Sequence, residues 1–295
     1  MAAIFWAISR PMPLLGPIAI PLEWPPKQWH LGPMEFRHLR IERDGPVTTV
    51  TLDRPDKLNA LSYALQQEIE AVARSFQQDE TTRAVIFTGA GRHFSAGADL
   101  TDTERPQPET RLGALRQSRL GPRMIRALAR IEPITIAAIN GVAAGGAACI
   151  ATACDFRIGA DDCRVSYPEV PLGMNLSWTS LPLCVHLIGP ARAKRMVMLG
   201  QQEDARTLLD WGFLDEVVPA ARLLDAARAM ANRYAALPPL PIQLVKRSVN
   251  AISQAMDESI MHADMEQLML TQSTEDFREG IRAWFEKRTG KFTGD

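Results

Sequence analysis

Groups that hold metals or cross-link a chain are scarce here. The four cysteines, Cys149, Cys154, Cys163 and Cys184, form no C-x-x-C pair, and the five histidines stand far apart. That spacing argues against a metal cage and against a disulfide framework, and it points to isolated buried thiols in a reducing cytoplasm. Excess charge is also lacking. With 33 basic and 34 acidic residues intermixed, the net charge is −1, so no nucleic-acid surface or polyanionic partner is expected. A basic start before the first apolar run is missing: "AAIFWAIS" precedes Arg10, and the prolines that follow prevent a membrane-spanning helix. Neither a signal peptide nor a membrane partner is expected, and no internal repeat or low-complexity run is present.

What the chain does contain, 46% hydrophobic and 23% charged residues in 295, is enough for one large core or one domain plus an appendage. Residues 1–33 differ in kind. They carry seven of the 21 prolines and three of the six tryptophans but only three charges, and they are expected to be a loosely held tail, with translation naturally starting at Met34 as the other reading. From Met34, "MEFRHLRIERDGPVTTVTLDRP" alternates like a strand and hairpin.

The runs "VTTVTLDR" (47–54), "RAVIFTG" (83–89), "ITIAAIN" (134–140), "DFRIG" (155–159) and "LDEVVP" (214–219) read as strands, most of them ending at Gly, Asn or Pro. Between the first two, Leu65, Ile69, Val72 and Phe76 recur at helical spacing after Ser62, an N-cap. Further helices are expected over 116–131, 146–153, 190–199 and 204–211. The pattern is α/β over 34–221. From Arg222 strands cease, and residues 222–295 read as a helical region whose stripes, Leu223, Leu224, Ala227 and Met230, then Met261, Met265 and Leu268, are expected to pack on the core or on a neighbouring subunit.

Three segments follow the C-terminal ends of expected strands: "RPDKLNALS" (54–62), "HFSAGADL" (93–100) and the Gly145–Gly146 turn within "INGVAAGGAACIATACD". That edge is where open α/β sheets bind ligands. Glycines at a strand-to-helix turn let a ligand approach the backbone, and a helix N-terminus offers unpaired N–H groups; on the glycine pair alone, close helix packing is the favoured reading. Two converging N–H donors would make an oxyanion hole.

Taken in order, "RPDKLNAL", "GAGRHFSAGADL", "INGVAAGGAACIATACDFRIG", "YPEVPLG" and "FEKRTGKF" resemble the crotonase superfamily, the enoyl-CoA hydratase/isomerase family, over residues 34–295. The resemblance implies a crotonase-like spiral of ββα units, a helical C-terminal region used in trimerisation, and a homotrimer or homohexamer. It implies an acyl-CoA thioester as substrate and no metal or redox cofactor. Carried residue by residue, it puts the oxyanion hole on the amides of Ala98 and Gly146. Lys57, Leu58, Ala96, Asp99 and Leu100 match positions lining coenzyme A, and Trp284 and Lys287 match C-terminal positions that meet a coenzyme A from a neighbouring subunit.

In the hydratases of that family two glutamates hold the water that adds across the double bond. Here one of those positions is Glu169 and the other is Cys149, so one carboxylate remains. Glu169, between a tyrosine-proline kink and apolar Val170, Pro171 and Leu172, suits a desolvated base working near neutral pH. Cys149 has no histidine near it in sequence and reads as space-filling. Ser177 stands where a dienoyl-CoA isomerase would place an aspartate, and "MNLSW" (174–178) replaces the glycine-rich loop of typical hydratases. The implied activity is therefore an enoyl-CoA isomerase with Glu169 moving the proton. Hydration with a non-standard second group and non-catalytic acyl-CoA binding are the alternatives. Residues 101–123, with their prolines and charges, are expected to form a mobile loop.

Overall fold

The computed structural model describes residues 35–295; the expected tail, 1–33, lies outside the described residues. Gly45, at φ +55°, turns β1 (Leu39–Asp44) back onto β2 (Val47–Leu52) as an antiparallel hairpin. Every residue of β2, β3 (Ala84–Gly89) and β4 (Ile134–Ile139) is buried, as expected of strands covered on both faces. They run parallel, followed in the same sheet by β6 (Phe156–Ala160) and β9 (Glu216–Val218), in the order β1-β2-β3-β4-β6-β9. Four of the five strand readings thus became consecutive members of one parallel array, and the fifth closes its edge.

A second sheet comes from β5 (Val142–Ala144), β7 (Arg164–Ser166) and the two-residue β8 (Glu203–Asp204). Parallel bridges Ser95–Ala143 and Leu61–Ala98 draw the loops after β2 and β3 toward it. These elements are too short to carry a periodic signal, and their pairing partners are distant in sequence.

Helix α1 (Tyr63–Ser75) starts where Ser62 Oγ accepts from the Leu65 amide at 3.3 Å, and it buries Leu65, Ile69 and Val72. The segment expected to be a mobile loop holds α2 (Arg111–Ser118), capped by Thr110, and leads into α3 (Leu120–Ala129), whose inner face is buried. Helix α4 (Gly146–Ala153) is buried all round. Helix α5 (Leu181–Leu199) starts before the expected 190 and carries a kink at Gly189 (φ 77°, ψ 164°), where Pro190 removes an amide donor. Helix α6 (Ala205–Trp211) ends on Gly212 in the left-handed region.

Helix α7 (Leu223–Ala235) buries Leu223, Ala227, Ala231 and Ala235 against the main sheet, so of its expected stripe Leu223 and Ala227 pack on the core, while Leu224 is exposed and Met230 half-buried. Met265 is buried too. Helix α8 (Pro239–Ser253) is tied down by Lys246, whose Nζ donates to Asp155 Oδ2 at 2.6 Å and to Pro133 O at 2.8 Å. Its other face leaves Leu240, Leu244, Val245, Val249 and Ile252 exposed. Short α9 (Glu258–Met261), α10 (Asp264–Gln272) and α11 (Glu275–Phe285) complete the chain. Among the described residues no helix is long and apolar enough to cross a membrane, and no cluster of metal-ligating side chains occurs.

Candidate active site

Parallel register puts the C-terminal ends of β2, β3 and β4 on one edge, and the three segments singled out in the sequence converge there. Leu61 N–H donates to Gly97 O at 2.8 Å, and Asp99 N–H donates to Leu61 O at 3.2 Å. In an extended chain successive amides point to opposite sides, so the Ala98 N–H between them faces away from Leu61. On that far side lies the β5–α4 turn. A Cβ built on Gly97 would lie 2.4 Å from Ala144 O and 3.6 Å from the Gly146 nitrogen. Gly97, at φ +89°, thus lets the two backbones close to a distance that any side chain would forbid.

Gly146 opens α4, so its amide has no acceptor within the helix. Among the described residues neither this amide nor that of Ala98 has a hydrogen-bond acceptor, and Ala98 is exposed. No acidic side chain sits in the first turn of α4 to offset its partial positive charge. The pair has the composition of an oxyanion hole: two donors from different segments, one at a helix N-terminus.

Glu169 follows β7 and leads into a 3-10 turn, Val170–Leu172. As a residue it is half-buried, but its Oε2 is sealed from solvent without a hydrogen-bond partner, so the carboxyl group is far drier than the residue as a whole. Desolvation pushes its pKa from 4.5 up to about 7. The other oxygen abuts the glycine pair: a Cβ on Gly145 would lie 2.9 Å from Glu169 Oε1. Gly145 sits at φ 52°, ψ −119°, a region essentially reserved for glycine. The turn carrying Glu169 is held from behind by α11, where Gly280 packs on the Leu172 backbone and Gly173 on that of Phe277 and Asp276.

Cys149 lies one turn into α4 and is fully buried. Burial first, then the charge of Glu169, holds its thiol well above the usual range, so it is neutral at physiological pH and a poor proton donor or nucleophile. Gly146 meets another neighbour: a Cβ there would lie 2.3 Å from Cζ3 of Trp178. The glycine pair therefore answers both readings, close packing at Gly146 and room for a carboxylate at Gly145.

The residues expected to line coenzyme A divide into groups. Lys57 and Leu58 end a 3-10 turn, Pro55–Lys57, and both are exposed, as are Ala96 and Leu100. Asp99 differs: its carboxylate faces inward, 3.0 Å from Arg54 Nη1 and 2.9 Å from Thr101 Oγ1, and these hydrogen bonds hold its pKa below the usual range. It clamps the loop carrying Ala98 and presents only backbone to a ligand. Arg54 also donates to Ala60 O. Trp284 is exposed at the end of α11, edge-on to Phe285, and Lys287 follows at φ 52°. Among the described residues, no hydrogen bond, salt bridge or aromatic contact brings Trp284 or Lys287 to the Ala98–Gly146 edge.

Asn59 carries weight that spacing alone did not reveal. Fully buried at φ 54°, it donates from Nδ2 to Ala90 O (2.8 Å) and His93 O (2.7 Å), while its Oδ1 accepts from the Arg54 amide. It thereby ties the first segment to the second. Its place within "RPDKLNALS" was the available signal.

Comparison with known proteins gives the family. A family model described as Enoyl-CoA hydratase/isomerase covers residues 42–295. The chain is 32% identical over 256 residues to a short-chain-enoyl-CoA hydratase of Clostridium acetobutylicum, covering 86% of this chain and 97% of that one. It is 31% identical to the 1,2-epoxyphenylacetyl-CoA isomerase of Escherichia coli over 88% of this chain and 99% of that one. Among solved structures, a carnitinyl-CoA hydratase from Mycobacterium avium superposes with a TM-score of 0.79 at 29% identity, covering 89% of this chain and all of that one. With the family's fold, and with the glycine turn and carboxylate set at one sheet edge, the chain belongs to the enoyl-CoA hydratase/isomerase family, the crotonase superfamily.

Proposed function

We propose that this acyl-CoA enzyme shifts a double bond within an enoyl-CoA, with Glu169 as the only proton-transfer group. The reading rests on one observation: a desolvated carboxylate is paired, at the position where a second acid would stand, with a buried neutral thiol. Water addition needs one group to activate water and another to deliver a proton. A 1,3-proton shift needs one base that takes a proton from the α-carbon and returns it to the γ-carbon. The thioester oxygen accepts from the Ala98 and Gly146 amides, which stabilise the dienolate formed between the two steps. One such donor is typically worth ~3–4 kcal/mol. No metal or redox group has a part in this sequence.

Hydration is the second reading, favoured by the hydratase names of most relatives; the Escherichia coli relative is named an isomerase. Incubation with matched 2-enoyl and 3-enoyl thioesters, with products resolved by mass, separates the two. Isomerisation leaves the mass unchanged, and hydration adds one water.

The exposed apolar face of α8 supports a homotrimer or homohexamer. Leu240, Leu244, Val245, Val249, Ile252 and Met256 are all exposed on one helix and the turn after it, more than scattered surface apolar residues would give. Light scattering at micromolar concentration tests the assembly. A monomer would exclude it.

A further inference from the structure

Trp178 lies in the segment that replaces a glycine-rich loop, and no step of the proton transfer uses it. Its indole is wedged between two helices. A Cβ on Gly121 of α3 would lie 2.2 Å from Trp178 Cε2, and one on Gly146 of α4 would lie 2.3 Å from Cζ3 and 2.8 Å from Cη2. Both glycines are thus compulsory for the ring's position, and the benzo edge rests on the residue that supplies an oxyanion amide. Leu61 closes the same point, its Cδ1 3.1 Å from that Gly146 Cβ position.

The backbone that holds the ring is strained. Trp178 and Thr179 are consecutive residues at φ 61° and φ 58°, an arrangement unfavourable for a bulky and then a β-branched side chain. Buried Asp264 of α10 pins them: its Oδ2 accepts from the Thr179 amide at 2.7 Å. The Thr179 and Ser180 hydroxyls both donate to Trp178 O. The buried carboxylate thus holds in place the strained backbone that sets the ring between α3 and α4.

We propose that Trp178 is the specificity-determining wall of the acyl pocket and confines the enzyme to short, unbranched enoyl thioesters. This rests on the proposed seat of the thioester oxygen between Ala98 and Gly146. From that seat the acyl chain runs past Glu169, which abuts Gly145, while the indole abuts the adjoining residue. The base and the ring thus abut consecutive residues, whose Cα atoms lie about 3.8 Å apart. A longer or branched chain meets the indole before it can bury further methylenes.

The test is binding of saturated acyl-CoA thioesters, from butyryl to decanoyl, by calorimetry. They undergo no double-bond chemistry, so the result is independent of the isomerase reading. Each buried methylene is worth roughly fourfold in affinity. The wild-type protein should gain no affinity beyond hexanoyl-CoA. Trp178→Gly, which suits the positive φ, should bind decanoyl-CoA at least tenfold more tightly than wild type does. Should that variant fail to fold, Trp178→Phe should move the profile in the same direction by at least threefold. A wild-type profile that keeps improving through decanoyl-CoA, or one that neither variant alters, overturns the proposal. If the mass-resolved products show hydration while the binding profile behaves as stated, the isomerase reading falls and the wall stands.

Discussion

Replacing Glu169 with glutamine should stabilise the protein increasingly as pH rises, even as it removes the proposed base. The carboxyl is pushed from 4.5 to about 7 by desolvation, its Oε2 buried without a partner. Between those two values the folded state holds a proton that the unfolded chain has released, so stability falls as pH rises. Below 4.5 both states are protonated and the penalty is absent. Above 7 both are ionised and it is fully present. At ~1.4 kcal/mol per tenfold in proton affinity, the wild-type fold carries about 3 kcal/mol of penalty at pH 8 as an upper figure. Glutamine has no charge to bury, and any cost of an unpaired amide is the same at every pH. For a chain of this size the difference in Tm between Glu169→Gln and wild type should grow by roughly 6–12 °C from pH 4 to pH 8. Scanning calorimetry of both proteins over that range reads it directly, since other groups titrate alike in both. A Tm difference that stays flat from pH 4 to pH 8 would show that the carboxylate is solvated and poorly suited as a base at neutral pH.

Other consequences concern activity and assembly. The kcat/KM for isomerisation should rise with pH with a midpoint near 7, as Glu169 loses its proton, and show no descending limb from Cys149 below pH 9; a midpoint near 4.5 in the pH–rate profile contradicts the desolvated base. Gly145→Ala places a Cβ 2.9 Å from Glu169 Oε1 at a backbone angle alanine avoids, so kcat should drop about tenfold or more with KM little changed, and steady-state kinetics matching wild type would refute the close approach. Asp99→Ala leaves Arg54 without its partner and frees the Ala98 loop; kcat should fall ~10–100-fold together with Tm, and unchanged kcat would show that the amide needs no clamp. Leu244→Glu with Ile252→Glu should shift light scattering toward the monomer mass, and an unaltered oligomer would move the interface off α8.

The main sheet was legible because its strands are buried on both faces, so "AVIFTG" and "ITIAAI" appear as unbroken β-rich runs whatever they pair with. Helix α1 was equally plain, with a capping serine and a regular stripe. The second sheet was not legible. Its strands of two or three residues take their shape from partners such as Ser166 and Asp204 that lie far along the chain. In the sequence, helix α7 stays open between core and interface because an amphipathic stripe looks the same whether it covers a sheet or a subunit. Only the packing of Ala227 and Ala231 on β3 and β4 decides. Asp99 illustrates the reverse problem, since a motif fixes its position but its carboxylate turns inward to Arg54.

The glycine pair shows why the site was readable as a place before it was readable as a chemistry. A sequence reports that side chains are missing at 145 and 146 but not what fills the space. The structure fills the two vacancies with opposite things, a carboxylate oxygen beside Gly145 and an aromatic edge beside Gly146. With the roles proposed above, an amide flanked by a carboxylate and a hydrocarbon edge suits a reaction in which charge develops on the thioester oxygen and only a proton moves. Cys149 completes that logic by what it withholds, since a carboxylate there would put a second charge near Glu169 and give water a second anchor. Cys149→Glu therefore tests the whole arrangement. If a second carboxylate is all that hydration lacks, this variant should add water to 2-enoyl thioesters. If Trp178 also denies water a place, only the double variant with Trp178→Gly should do so. Equal hydration by wild type and both variants would mean that neither residue decides the reaction.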